Sequence, residues 1–213
     1  MTDIKKFKDN GVVFVDEKSV WIEDGVVIGK GTVIEPNVYL KGETVIGENV
    51  TIGFCTEIVN SKIADNVTIK HSVITDSTIG EGTNIGPFAY VRPNCVVGKN
   101  VKLGDFVEIK NSNIGDGTKL SHLTYVGDAD VGKNINFGCG TVVVNYDGKK
   151  KHRTVIEDNA FIGCNTNLVS PVKVGKNAFT AAGSTITEDV PENALAIARE
   201  RQTVKEDWVT KRK

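Results

Sequence analysis

Residues 21–58 read W-I-E-D-G-V-V-I-G-K-G-T-V-I-E-P-N-V-Y-L-K-G-E-T-V-I-G-E-N-V-T-I-G-F-C-T-E-I. A large apolar residue returns every six positions, at Ile22, Ile28, Ile34, Leu40, Ile46, Ile52 and Ile58. An amphipathic helix repeats about every 3.6 residues and a half-buried strand every second one, so neither explains this beat. Period six belongs to a parallel β-helix of hexapeptide repeats, in which short strands wrap a three-sided prism and every sixth side chain plugs the interior.

The beat runs outward from this stretch. It continues through Ile63, Ile69, Ile74, Ile79, Ile85, Val91, Val97, Leu103, Ile109, Ile114, Leu120, Val126, Val131, Phe137 and Val143. Five of these steps are one residue short, which a corner absorbs if the inward position survives. It resumes as Ile156, Ile162, Leu168, Val174, Thr180 and Ile186. Three faces per turn give an all-β fold of about nine to ten coils, a rod of roughly 45 Å at about 4.8 Å per coil. The inward residues are mostly β-branched, which suits stacked strands. Gly and Asn recur in I-G-K-G, I-G-E-N and V-G-K-N, where left-handed backbone angles at the corners are expected. Residues 1–21 form an expected lead-in, 22–190 the β-helix and 191–213 a short tail. The tail's A-L-A-I-A-R predicts a strand, followed by a charged, helical end. Trp21 and Trp208 flank the array as candidate end caps.

Composition agrees with an elongated repeat array. The 213-residue chain has 22 Gly but only 5 Pro and 7 % aromatics, which fits many tight turns around a thin aliphatic core. A formal net charge of −1 gives no global attraction to nucleic acid or to an anionic membrane. No apolar run approaches the roughly 20 residues needed to span a bilayer. The N-terminus M-T-D-I-K-K-F-K-D-N has no signal-peptide core. Cys55, Cys95, Cys139 and Cys164 show no C-x-x-C spacing, which points away from a zinc knuckle and toward a reducing cytoplasm.

The array breaks once. Val143 to Ile156 is 13 residues, and the excess is the segment Asn145 to Arg153, N-Y-D-G-K-K-K-H-R. A loop thrown out of a regular solenoid is a favoured place for function. Coil length also sorts outward residues into columns. Arg92 and Lys110 each follow an inward residue and are 18 apart, so they stack. Such a pair is either two solvated charges or, with Arg's bidentate geometry, a phosphate clamp. His122 lies two residues after inward Leu120, and the same slot on later coils holds Cys139, Cys164 and Ala182. This is either a groove with an imidazole at one end or a packing face against another chain. His71 reads as a surface turn residue, His152 as solvated, and Cys55 and Cys95 as buried or turn thiols.

The segments I-G-P-F-A-Y-V-R-P (85–93), G-D-F-V-E-I-K (104–110), S-H-L-T-Y-V-G-D-A (121–129), N-F-G-C-G-T-V-V-V-N-Y-D-G (136–148), A-A-G-S-T-I-T (181–187) and A-L-A-I-A-R (194–199) carry a more specific signal. Together they resemble the acetyltransferase half of the bacterial bifunctional glucosamine-1-phosphate acetyltransferase/N-acetylglucosamine-1-phosphate uridyltransferase family. The match runs from about Gly11 to the tail. The resemblance implies a left-handed prism, packed as a homotrimer with active sites shared between subunits. It implies acetyl transfer from acetyl-CoA to the 2-amine of glucosamine 1-phosphate, without a metal, for UDP-N-acetylglucosamine and cell-wall precursor synthesis. Carried over, it makes His122 the catalytic base. Arg92, Lys110, Tyr125, Asn136 and Lys151 match positions that hold the sugar phosphate. Cys139, Asn145, Tyr146, Cys164, Ala182 and Arg199 match positions around acetyl-CoA. Cys139 stands where some members have Ala, and Cys164 where some have Ser, which replaces a hydroxyl by a weaker thiol partner. Residues 1–21 hold no Gly-rich nucleotide loop of the uridyltransferase half; a stand-alone acetyltransferase and one domain of a longer chain both remain open.

The attacking amine must be neutral, and an imidazole is suited to take its proton. The Cys139 N–H is the candidate donor to the oxyanion. Alternatives are a hexapeptide acyltransferase acting on galactosamine 1-phosphate, a UDP-amino-sugar or serine, and a non-catalytic β-helix scaffold. A carbonic-anhydrase-like metal site needs three converging histidines, whereas the histidines here are 51 and 30 residues apart.

Overall fold

A computed structural model describes residues 4–212; residues 1–3 of the expected lead-in and residue 213 of the tail lie outside it. The chain winds into a parallel β-solenoid of about 10 turns. Strands of two or three residues form three faces, and each pairs in parallel with the strand one coil on, as in Ile22↔Leu40↔Ile58↔Ile74↔Val91↔Ile109. Burial alternates along the short strands, as in Val27–Ile28, Val33–Ile34 and Val45–Ile46, where the second residue faces inward. The inward residues Ile34, Leu40, Ile52, Ile58, Ile69 and Ile74 are all fully buried. Each contributes about 1.5–3 kcal/mol of apolar burial. Strand pairing joins each coil to the coils directly before and after it, so stability accrues coil by coil.

Two longer strands interrupt this uniformity. Lys102–Lys110 and Lys119–Gly127 each run nine residues, around a corner and through two faces. They fuse those faces into one 19-stranded sheet, while the third face keeps nine strands. Gly104 permits the bend: a Cβ there would collide with the Ser121 carbonyl of the next coil. The Asn145–Arg153 segment is excluded from the ladder, and the coil re-enters in register as Val131↔Ile156.

Four expectations change. First, the prism reaches back into the lead-in: Val13–Phe14 pairs with Val33–Ile34. An eight-residue step to Ile22, turned by Asp16 accepting from the Lys18 N–H, hides this strand from the six-residue count. Second, the N-terminal end is closed by the short helix Lys5–Asp9 with Phe7 buried, not by Trp21, which lies on an outer face opposite Tyr39. Third, Leu195–Ala196 forms the expected strand, but residues 206–211 make only turns, with Trp208 exposed beneath Arg212. Fourth, the two glycines of I-G-K-G act differently. Gly31 takes a left-handed φ of 72°, whereas Gly29 is needed because a Cβ would lie 2.5 Å from the Gly47 carbonyl carbon.

Candidate active site

The His122 column exists and is longer than its spacing indicated. Leu120, Phe137, Ile162 and Thr180 are in register, so His122, Cys139, Cys164 and Ala182 project from successive coils at one corner. One coil before His122 stands Asp105, its Cα partner across the two long strands. His122 Nδ1 lies 2.5 Å from Asp105 Oδ1. The carboxylate has no proton to give, so Nδ1 donates, the arrangement in which the neutral ring keeps Nε2 free to accept a proton. The hydrogen bond to His122 holds the Asp105 carboxyl below its ordinary range. Sequence reasoning missed Asp105, although it sits two residues after inward Leu103, the slot His122 occupies after Leu120.

Beyond the imidazole the column narrows to small side chains. Cys139 sits in a turn, with Gly140 at a φ of 76° beside it. No acceptor meets the Cys139 N–H among the described residues, although the Gly138 N–H donates to Ile162 O and the Gly140 N–H to Leu123 O. Cys164 and Ala182 are exposed. Gly183 leaves room for Arg199, whose Cδ would lie 3.7 Å from a Cβ at that glycine. Asn136 points outward on the strand that leads into this corner.

The remaining candidates gather at the next corner. Arg92 Nη1 donates to Glu108 Oε1 at 2.8 Å, and its guanidinium lies 5.9 Å from the Tyr90 ring centroid. Lys110 Nζ lies 3.4 Å from Asp128, a buried carboxylate that also accepts from Asn111 Nδ2 and Asn145 Nδ2 at 2.5 Å each. Asn145 Nδ2 further lies 3.4 Å from the Tyr125 hydroxyl. Burial would raise the Asp128 carboxyl, but the Asn111 and Asn145 hydrogen bonds and the Lys110 charge outweigh it and hold it low. Sequence spacing did not find Asp128, because its role depends on what the excluded loop folds back upon.

That loop is a small hairpin. Tyr146 bridges Lys151, the Asp147 carboxylate accepts from the Lys149 and Lys150 N–H groups, and the His152 N–H donates to Asn145 O at 2.8 Å. These backbone donors, with His152, lower Asp147 to about 2. His152 is therefore paired, Nε2 to Asp147 Oδ2 at 2.7 Å, rather than solvated. Arg153 forks onto Asp130 at 2.6 Å through Nε and Nη2 and pins the end of the loop. The hairpin delivers Lys151 to the neighbourhood of Lys110: the nearby Lys110 ammonium lowers Lys151, and the Arg92 charge pushes it in the same direction. Two lysines competing for protons beside an arginine form a site that an anion would stabilise.

The two clusters occupy different corners of one chain. His122 pairs with Asp105 and Gly127 with Lys110 on the same two strands, so five residues and the turn at Phe106 and Leu123 lie between the imidazole and the cation cluster. His122, Asn136, Cys139, Cys164, Ala182 and Arg199 line one corner; Arg92, Lys110, Tyr125, Asn145, Tyr146 and Lys151 line the other. Among the described residues, no group of three or more His, Cys, Asp or Glu side chains is arranged to hold a metal ion.

Comparison with known proteins accords with this geometry. The bacterial transferase hexapeptide (six repeats) family matches residues 76–111 and 153–188, and the GMPPB C-terminal domain matches residues 16–92. The bifunctional protein GlmU of Acetivibrio thermocellus is 61 % identical over 209 residues, which is 98 % of this chain and 45 % of that protein. The chain belongs with the C-terminal, hexapeptide-repeat domain of GlmU. The GlmU of Clostridium kluyveri is 59 % identical over 204 residues, 96 % of this chain and again 45 % of the relative. The chain thus spans a little under half the length of the GlmU proteins it matches. A solved UDP-N-acetylglucosamine acyltransferase from Francisella novicida superposes with a TM-score of 0.58 at 20 % identity, over 85 % of this chain and 66 % of that one. At that identity the likeness is one of fold, a left-handed parallel β-helix. No helix is long and apolar enough to cross a membrane among the described residues.

Proposed function

We propose that the chain transfers an acetyl group from acetyl-CoA to the 2-amine of glucosamine 1-phosphate, giving N-acetylglucosamine 1-phosphate. The observation that carries this reading is His122, fixed by Asp105 at the head of a column of small side chains. Nε2 takes the proton of the attacking amine while Asp105 stabilises the resulting imidazolium. The Cys139 N–H, which meets no acceptor among the described residues, receives the oxyanion of the tetrahedral intermediate. The intermediate then expels the CoA thiolate, which takes the proton from the His122 imidazolium and leaves as the thiol. Cys139, Cys164 and Ala182 leave space for an extended pantetheine arm, and Arg199 offers a cation at its far end. Arg92, Lys110 and Lys151 take the sugar phosphate, with Tyr125 and Asn145 beside them.

A corner of the prism lies between the cation cluster and His122 of the same chain, so the two face different sides of the rod. The working site therefore pairs one subunit's His122 corner with another's cation corner, in a homotrimer. An exposed ridge supports such packing. Phe54, His71, Phe88 and Phe106 meet ring to ring, edge-on, tilted and stacked in turn, and Phe88, Phe106 and Leu123 are about half exposed with φ of 58°, 54° and 44°. The four cysteines are free, which suits a reducing cytoplasm.

The test is thiol release from acetyl-CoA with glucosamine 1-phosphate, galactosamine 1-phosphate and serine as acceptors. Glucosamine 1-phosphate should give the highest kcat/KM. Thiol release with none of the three would favour a scaffold, and preference for serine would overturn the sugar-phosphate reading.

A further inference from the structure

Cys139 and Cys164 occupy successive coils of one column, and the function proposed above needs neither as a nucleophile. Phe137 and Ile162, two residues before each, are Cα partners. The Asn165 N–H donates to Cys139 O at 2.8 Å and the Gly138 N–H to Ile162 O at 2.7 Å, which locks the two turns in register. Their Cα atoms are therefore one strand spacing apart, about 4.8 Å. That falls within the roughly 4.4–6.8 Å over which a disulfide closes. Side chains of this column do reach across one coil: Asp105 and His122 meet at 2.5 Å one step earlier. Cys164 is exposed and Cys139 half-buried, whereas Cys95 is buried and its thiol is pushed up by burial. Gly138 brings the stacked backbones together, since a Cβ there would collide with Cys164 N.

We infer that Cys139 and Cys164 form a thiol-exchange site, closed into a disulfide by the disulfide of a pantetheine-type thiol. This inference rests on the reading of the column as the acyl-donor groove. The Cys164 thiolate attacks one sulfur of the incoming disulfide; the S–S bond breaks and one carrier thiolate leaves and takes up a proton. The Cys139 thiolate then attacks the protein-bound sulfur, forming Cys139–Cys164 and releasing the second carrier thiol. Two protein thiols are oxidised and one carrier disulfide is reduced, so no other oxidant enters. The closed disulfide lies across the path of the donor arm, so acetyl transfer stops when the carrier pool is oxidised and returns on reduction.

The test incubates the full chain with CoA disulfide or with glutathione disulfide, blocks residual thiols, and maps tryptic peptides by mass. CoA disulfide is expected to link the peptide containing Cys139 to that containing Cys164, at least tenfold faster than glutathione disulfide, while Cys95 stays reduced. Cys139→Ala should instead trap the carrier as a mixed disulfide on Cys164. A stable mixed disulfide in the unsubstituted chain, equal rates with both disulfides, or two free thiols after treatment would each overturn the inference. Acetyl transfer by the untreated protein is measured separately, so a failure of the function proposed above is told apart from a failure of the exchange site.

Discussion

At the residue scale, two carboxylates do different work. Asp105 acts through His122. Asp105→Ala frees the imidazole to rotate and should lower kcat by roughly tenfold or more while leaving KM for both substrates near its original value. Asp105→Asn keeps an acceptor for Nδ1 and should recover part of that loss; equal kcat in the unsubstituted protein and Asp105→Ala would dismiss the positioning role. His122→Ala should cost about 10²–10⁴-fold in turnover with the fold intact. Asp128 is structural. It is buried and accepts from Asn111, Asn145 and Lys110, so Asp128→Ala strands three donors and should cost about 1–3 kcal/mol, read as a fall in denaturant midpoint. The Asp128 carboxyl is held lower in the folded chain than in the unfolded one. Its contribution is therefore present above the ordinary carboxylate pKa of about 3.9 and lost as pH falls through the lowered folded value. Stability should drop more steeply on acidification below about pH 4 in the unsubstituted protein than in Asp128→Asn. Parallel curves would contradict the assignment.

At the scale of elements, the excluded hairpin is separable from the prism. It makes no ladder pairs within the coil, and its shape hangs on Asp147, which gathers two backbone N–H groups and His152. Asp147→Ala should loosen Lys151 and raise KM for the sugar phosphate several-fold, with little change in Tm; a large fall in Tm would mean that the loop braces the coil. Elements also show what the sequence made legible. A period of six is imposed by coil geometry, so the inward residues, the stacked Arg92 and Lys110, and the column from His122 to Ala182 followed from counting. Asp105 was open to the same count. It stands two residues after inward Leu103, one coil before His122 in the same column. Asp128 and the approach of Lys151 to Lys110 obey no count, because an excluded loop has no period and returns to the prism at a point set by its own turns. The first strand was hidden for the same physical reason: the Asp16–Ser19 turn lengthens one step to eight residues.

At the scale of the whole molecule, the separation of the two corners makes a prediction that a complete single-chain site would not. Bulky Phe88, Phe106 and Leu123 hold left-handed angles at a corner where Asn37, Gly140, Asn165 and Gly183 serve on other coils. Each such residue costs of order 1–2 kcal/mol relative to an ordinary angle. An exposed apolar ridge retained at that cost is explained if another copy covers it. If each site joins His122 of one subunit to Lys110 of another, two different lesions can complement each other. His122→Ala and Lys110→Ala chains, each nearly inactive alone, would be co-expressed with different tags and the mixed oligomers purified. In a cyclic trimer assembled at random, a site is intact when its His122 comes from a Lys110→Ala chain and its Lys110 from a His122→Ala chain. That occurs at about one quarter of sites, so mixed populations should regain about a quarter of the specific activity of the unsubstituted protein. If both corners served one chain's own site, every chain would carry a lesion in it. Mixing would then restore nothing, and the inter-subunit reading would fall even if each variant still assembled as a trimer.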